Sequence, residues 1–454
     1  MSAPNQTDSA DAPFLWCFPP PIMTTQANSK TVSLSIACLL LPVVLSAQTA
    51  SLAAPPPKPA AAKSPWTFSA NLAVKEGFDN NVFIQDHGDQ AKRESWVTSL
   101  MPGVGVAYQQ SPAFKASVSY SPEVVFYHAE RSEDYVAHRG AINFGGKVKD
   151  TAWELLNGIT WIDGSSLGPR FTGGGDIPAI GGIPLRDRRD AAIYRNSFKL
   201  TQTLGKAFLR PVFTSYVHDF QTELHRTTEP GFAGYENYID RYDIGGGVDG
   251  GYEVAAKTWL ILGYRFGHQE QRKNQFQVPS PYGNNYHRFL VGIEGAPTDW
   301  LKLNVLAGPD VRDFTSTTPL GFDRNELLYF IDASVSLMPS KQDTITIAAR
   351  RYEQPAFSSH SVYEDIVYDF LYRHKFCDRF TAGAGFKIYG GDWQAPVNRE
   401  DWIFTPSAIL IYTHDKHFSG ELAYSYDWVD SQVPNTSGRE FTRHLVSLGL
   451  KYTF

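Results

Sequence analysis

From residue 66 onward the chain alternates apolar and polar residues. Trp66, Phe68, Ala70, Leu72 and Val74 interleave with Thr67, Ser69, Asn71, Ala73 and Lys75. At the far end Val446, Leu448, Leu450, Tyr452 and Phe454 interleave with Ser447, Gly449, Lys451 and Thr453. Successive side chains of an extended strand point to opposite faces, so each segment has one apolar and one polar face. An apolar outer face, a polar inner face and a terminal aromatic are what a closing strand needs when lipid lies on one side and water on the other. The first and last segments are therefore expected to pair and close a cylinder. Closure removes the free sheet edges, whose unpaired backbone groups are costly in hydrocarbon.

No segment past residue 65 keeps a helical period or a long apolar run. Period-two matching predicts strands over 66–77, 94–109, 113–127, 135–149, 152–163, 190–204, 207–222, 238–254, 257–271, 285–296, 299–312, 325–339, 342–354, 361–375, 378–391, 400–414, 416–430 and 439–454. The expected fold is all-β, a transmembrane antiparallel β-barrel of about 18 strands, with about 16 as the alternative count. The links supply a separate test. Short ones fall at Gln110 to Pro112, Asp150 and Thr151, Gly205 and Lys206, Ala255 and Ala256, Pro297 and Thr298, Ser340 and Lys341, Phe376 and Cys377, and Asp415. Between them lie longer polar segments, among them 78–93, 164–189, 223–237, 272–284 and 313–324. Outer-membrane barrels alternate short periplasmic turns with long external loops, so both ends of the folded part are expected on the periplasmic side and the strand number is even.

Ahead of the barrel, Thr31 to Leu45 is the one long apolar run, preceded by Lys30 and followed by the small-residue stretch Ser46, Ala47, Gln48, Thr49 and Ala50. This order reads as a signal peptide, and the run is too short for a membrane-spanning helix. Residues 1–47 form the signal region, with Met23 as the alternative start, residues 48–65 a disordered Pro/Ala-rich periplasmic leader, and 66–454 the barrel. Removing the signal discards Cys17 and Cys38, so Cys377 is left alone in a turn. A length of 454 residues fits about three ordinary domains on the length prior, but the unbroken alternation argues for one. Mean hydropathy of −0.29 hides a membrane surface because only alternate strand residues need be apolar. A net charge of −6 gives no reason to expect nucleic acid as a partner.

Aromatics cluster towards strand ends, as at Trp96 and Tyr108, Trp153 and Trp161, Trp402 and Tyr412, and Trp428, where amphipathic rings suit two interfacial girdles. After the first strand comes Lys75 to Phe83, KEGFDNNVF. This segment is similar to the aromatic-Asp-Asn/Ser-Asn-hydrophobic signature near the start of the beta-barrel porin-2 family of bacterial outer-membrane proteins. It departs from that signature in carrying Phe78 where Tyr is common. The resemblance implies an outer-membrane barrel with a porin-like role and carries over no catalytic residue.

Placing the apolar face outside turns many charges inward. The candidate lumen charges are Arg195, Lys199, Arg241, Asp243, Arg265, Arg288, Asp332, Arg350, Asp365 and Asp369. Ions in such number need either water or mutual pairing, so an aqueous channel and a loop-plugged barrel with a salt-bridge web are the two readings. Loop 164–189 is rich in Gly and Pro; folded inward, its Arg170, Asp176, Arg186, Arg188 and Arg189 would form a pore constriction. It lacks the Gly-Lys-Ser/Thr of a phosphate cradle. Tyr452 and Phe454 are the candidate assembly signal. His444 and Ser447 fall on opposite strand faces, so they make no nucleophile and base pair, and His414 and His417 read as solvated turn residues. Asp79, Asn80 and Asn81 with Asp86 and Asp89 offer oxygens but not the spacing of a calcium loop. No catalytic residue, cofactor or metal is expected. The expected function is passive diffusion of small polar solutes through a porin-like channel, the alternative being a conduit or anchor in a polysaccharide or protein export assembly. Expected partners are outer-membrane lipid, the barrel-assembly machinery and the solutes themselves.

Overall fold

The alternating segments close into one ring. The computed structural model describes residues 64–454 apart from 87, 165–189, 222–223, 226–235, 238, 273–277, 357–359, 396–397 and 432–439. The expected signal region and nearly all of the leader therefore lie outside the described residues. The staves of the ring are β1 (Trp66–Asp79), β2 (Ser95–Ser111), β3 (Phe114–Tyr120 with Glu123–Tyr127), β4 (Tyr135–Val148), β5 (Thr151–Gly164) and β6 (Ala191–Leu204). They continue as β7 (Ala207–Phe220), β8 (Arg241–Ala255), β9 (Thr258–Gln271), β10 (Asn284–Thr298), β11 (Leu301–Phe314) and β12 (Leu327–Leu337). The last six are β13 (Asp343–Pro355), β14 (Val362–Lys375), β15 (Phe380–Trp393), β16 (Arg399–Thr413), β17 (Phe418–Ser431) and β18 (Thr442–Thr453). Each pairs antiparallel with its sequence neighbours, and β18 returns to β1 in register from Asn71↔Thr453 to Asp79↔Leu445. The count is 18, and both described ends lie at the rim of short turns.

Two local departures from the alternation have covalent or steric causes. β3 breaks at Ser121 and Pro122 because proline has no N–H to give the ladder, while Ser121 N still donates to Arg139 O at 2.7 Å. The predicted link at Pro297 and Thr298 belongs instead to β10. Its register with β11 shifts between Gly295 and Thr298, and Gly295 at φ +137° marks the bulge that adds the extra residue.

The outer face is apolar around the ring. Leu262, Val291 and Leu448 are 63%, 56% and 56% exposed, and Leu72, Val104, Phe213, Val248, Ile347, Phe370, Leu410 and Leu422 are exposed on other staves. In water so continuous a patch would be a liability; it is the face a bilayer solvates. Aromatic pairs mark both margins of this belt. Trp66 and Tyr108 lie 4.8 Å apart and Phe380 and Tyr412 5.0 Å apart near the turns, while Phe78 and Trp96 (5.4 Å) and Phe404 and Trp428 (5.0 Å) lie near the loops. Tyr452 and Phe454 face outward at the turn margin, 4.9 Å apart. Beyond the margins the exposed residues become charged: Asp163, Asp313, Asp392 and Asp430 at the loop rim, Lys149, Lys206, Lys257 and Lys416 in the turns.

Candidate functional site in the lumen

Of the candidate lumen charges, Arg195 and Lys199 lie on β6, Arg241 and Asp243 on β8, Arg265 on β9, Arg288 on β10, Asp332 on β12, Arg350 on β13, and Asp365 and Asp369 on β14; all but Lys199, Asp243 and Asp369 are buried. They fall into two environments. Along β7 to β13 the charges are buried and interlocked. Arg265 binds both carboxylate oxygens of Asp249 at 2.6 and 3.0 Å, and Arg210 bridges Asp249 at 3.1 Å and Glu294 at 2.9 and 3.0 Å. Arg288 and Arg312 share Asp310 at 2.9 and 2.8 Å, and Arg350 meets Asp332 at 3.4 Å. On the opposite arc, Lys75 and Glu421 (3.5 Å) and Lys387 and Asp369 (3.4 Å) stay about one-third exposed. Forked guanidinium contacts suit the first set, because a desolvated ion needs several directed bonds; water serves the second.

Glycine shapes the buried arc. Tyr286 lies across inward-facing Gly245 and Gly267, where a Cβ on Gly267 would come within 2.2 Å of its ring. Its hydroxyl donates to Asp243 at 2.9 Å. The Arg288 guanidinium stacks 4.0 Å above the Tyr286 ring and 4.6 Å from Phe330. A cavity of 90 Å³ beside this stack is lined by Arg265, Arg350, Asp332 and Leu306 among others.

The wall also sends an element into the lumen. β12 and β13 pair only as far as Ile331↔Arg351, whereas β13 and β14 continue to Pro355↔Val362. The tip of this hairpin thus leaves β12 and leans towards β8, β9 and β11. Three carbonyls on its released edge and tip find side-chain donors instead of a strand. Glu353 O accepts from Gln269 (3.2 Å) and Arg312 (3.1 Å), Pro355 O from Arg241, and Ala356 O from Gln271 (2.6 Å). A sheet edge separated from its neighbour must be satisfied somewhere, and arginine and glutamine replace the ladder here. Arg312, fully buried, is the centre: it also donates to Gln269 Oε1 at 2.6 Å, Asn284 Oδ1 at 3.0 Å and Asp310 Oδ2 at 2.8 Å. In the loop after β11, Glu326 accepts from Gln394 at 2.5 Å, and burial pushes its carboxyl above the usual carboxylate range.

Opposite the hairpin lies a chamber of 390 Å³, lined by Lys75, Ser99, Arg373, Ser407, Ser425 and Ser447 among others. On its loop side, Arg443 forks onto Asp79 at 2.9 and 2.5 Å, joining the end of β1 to β18. Asn80 Oδ1 accepts from His444 N (2.6 Å), Asn81 donates to Thr442 O (2.9 Å) and Asp86 accepts from Thr442 N (3.2 Å). Of the oxygens considered for calcium, those of Asp79, Asn80, Asn81 and Asp86 take part in hydrogen bonds. Among the described residues no group of three or more His, Cys, Asp or Glu could hold a metal ion. Ser447 faces the lumen while His444 faces outward against Tyr424 at 2.9 Å, and His414 and His417 sit at a turn beside Tyr412 (3.3 Å) and Thr453 O (2.7 Å). Cys377 is exposed in its turn.

The loop residues Arg170, Asp176, Arg186, Arg188 and Arg189 lie outside the described residues. Two features escaped sequence reasoning. Arg210, Arg312 and Arg443 carry inward positions that strand parity alone would have found. The inward run of Val82, Phe83 and Ile84 left a weaker signal, three apolar residues within an otherwise polar loop.

No family model and no curated protein matches the chain. Among solved structures it is similar to OccAB3 of Acinetobacter baumannii, at 12% identity and a TM-score of 0.42 over 85% of this chain and 99% of that one. The siderophore receptor PirA of the same organism matches at 9% identity and 0.44, over 87% of this chain and 81% of that one. OccK1 (OpdK) of Pseudomonas aeruginosa matches at 10% identity and 0.43, over 85% and 99%. Likeness at this level carries no functional weight.

Proposed function

We propose that the chain is a bacterial outer-membrane channel through which small polar solutes diffuse without chemistry. The observation that carries this reading is a closed barrel with a lipid-compatible outside and a polar inner chamber of 390 Å³. A barrel that served only as an anchor would have no use for one-third-exposed Lys75, Asp369, Lys387 and Glu421 on its inner wall, where each ion keeps contact with solvent. The barrel's loop rim is the external one in this reading, and both described ends face the periplasm. Outer-membrane lipid and the barrel-assembly machinery are its partners, the latter through the outward aromatics Tyr452 and Phe454. In this reading Arg186, Arg188 and Arg189 of loop 164–189 bring positive charge to the channel, raising the local anion concentration. Neutralising the three together then shifts selectivity towards cations.

Liposome swelling tests the reading. Vesicles containing the purified barrel are expected to swell in isosmotic small sugars or amino acids, at rates that fall as solute size increases. Swelling no faster than in protein-free vesicles for every solute would remove the channel from consideration.

A further inference from the structure

The sequence Asp79-Asn80-Asn81-Val82-Phe83 follows the end of β1 and is tied to β18 by the Asp79–Arg443 ion pair and by the side-chain bonds of Asn80 and Asn81. Asn81 and Asp86 grip Thr442 from both sides, and Asn81 Oδ1 accepts from Gln85 N at 3.0 Å. This clasp turns the next three side chains into the barrel. Val82, Phe83 and Ile84 are 0%, 8% and 7% exposed. Val82 and Phe83 pack on Val125 and Tyr127 of β3, and Ile84 packs on Val367, Tyr389, Ile403 and Val429 of β14 to β17. The segment is carried between β1 and β2, so these contacts stretch it along the inner wall from β3 to β14.

Three features distinguish it from an ordinary buried loop. Its contacts form an apolar collar of two clusters, one on β3 and one across β14 to β17. The polar chamber of 390 Å³ opens directly beneath it, with Asp79 and Arg443 at the boundary. Ile84 holds φ +52°, a left-handed backbone that a β-branched side chain adopts only under strain. The strain is balanced by the apolar contacts and the clasp, so the inserted state is opposed from within.

We infer that Val82-Phe83-Ile84 is a displaceable plug: the chain fills its own collar above the chamber, and withdrawal of the three side chains, hinged at the Asn81 and Asp86 clasp, opens that arc of the mouth. The inference rests on the channel reading above. It assigns a role to the residues that carry the family resemblance. The apolar side chains close the path, and the polar ones return the segment to its place.

The test is single-channel recording of the full-length protein in planar bilayers. Replacing Phe83→Ala together with Ile84→Gly is expected to raise the unitary conductance at least twofold over wild type. A second variant, Asn81→Ala with Asp86→Ala, keeps the apolar residues and loosens the hinge; steps of the enlarged size should then appear and disappear in the same trace. Heat-modifiable migration on gels confirms that each barrel is folded, and either variant alone suffices if the other is not. Folded variants whose steps match wild type in size and open time overturn the plug and leave the channel standing. Silence from wild type and variants alike removes the channel, and the plug with it.

Discussion

Two parts of this barrel leave the wall for the lumen, and opposite forces hold them there. The tip of the β13–β14 hairpin is held by polar bonds: its freed carbonyls accept from Arg241, Gln269, Gln271 and Arg312. The segment after β1 is held by apolar contact, with Ile84 seated among Val367, Tyr389, Ile403 and Val429. An inserted strand edge brings unsatisfied backbone with it and so demands donors, whereas an inserted loop that satisfies its own backbone can be held by burial. The first kind of insert is specific in geometry and costly to disturb. The second can slide in and out.

The comparison breaks first at Arg312. Arg312→Met leaves Asp310 to Arg288 alone and takes one of two donors from the Glu353 carbonyl, and removing one partner from a buried pair costs up to about 3–5 kcal/mol. The temperature at which the barrel loses its compact gel migration should fall clearly, with greater hydrogen exchange at residues 352–356. No fall in that temperature would mean the hairpin is not held by charge.

The wall carries both inserts and can be tested apart from them. Leu448→Arg puts a charge on the lipid face, at a cost of about 2–4 kcal/mol near mid-membrane. Deleting Phe454 removes the outward aromatic at the turn margin. Both should lower the yield of folded barrel in the outer membrane while leaving the conductance of surviving molecules unchanged. An altered conductance would show that wall and inserts are not separable.

Ile84→Gly should act more gently. Losing the buried side chain costs about 2–5 kcal/mol, and relief of the left-handed strain returns about 1–3 kcal/mol. The net loss is local, expected as faster hydrogen exchange at residues 81–86 with an unchanged melting of the barrel. A large drop in barrel melting would make this segment part of the core instead.

The smallest effect concerns pH. Burial raises the Glu326 carboxyl above its ordinary value in the folded protein, so the folded state holds that proton more tightly than the unfolded chain does. The stability from this contact is complete at pH below the unfolded value and is lost as pH rises through the raised folded one. Protection of the hairpin-tip amides, taken relative to their intrinsic base-catalysed exchange, should therefore fall as pH rises through that raised value, and Glu326→Gln should flatten the dependence. Identical pH profiles for wild type and variant would exclude Glu326 as the source.

The staves were legible because their period is enforced by two solvents: an outward residue such as Leu450 and an inward one such as Lys451 cannot exchange places. The same rule placed Arg195, Asp243 and Asp369 on the inner wall. It fails where a strand leaves the wall. By parity Glu353 and Glu364 belong outside facing lipid, yet both are buried, because the hairpin tip has moved inward and its outer face meets β11 and the neighbouring loops. Parity describes a cylinder and is silent on departures from it. The inward turn of Val82, Phe83 and Ile84 depends on partners on β3 and β14 to β17, contacts too distant in sequence for any local pattern to record.

The central claim is that water and small solutes cross this barrel through the arc lined by Lys75, Ser99, Arg373, Ser407 and Ser425. The most direct measurement places a single cysteine at Ser407 or Ser425, in a background with Cys377→Ser, and records current through one channel while a small charged thiol reagent is added. The account predicts ohmic steps that drop to a lower, stable level on reaction at either position, with no change when the cysteine is at outward Leu410. Steps that ignore modification at Ser407 and Ser425, or an absence of steps altogether, would contradict it.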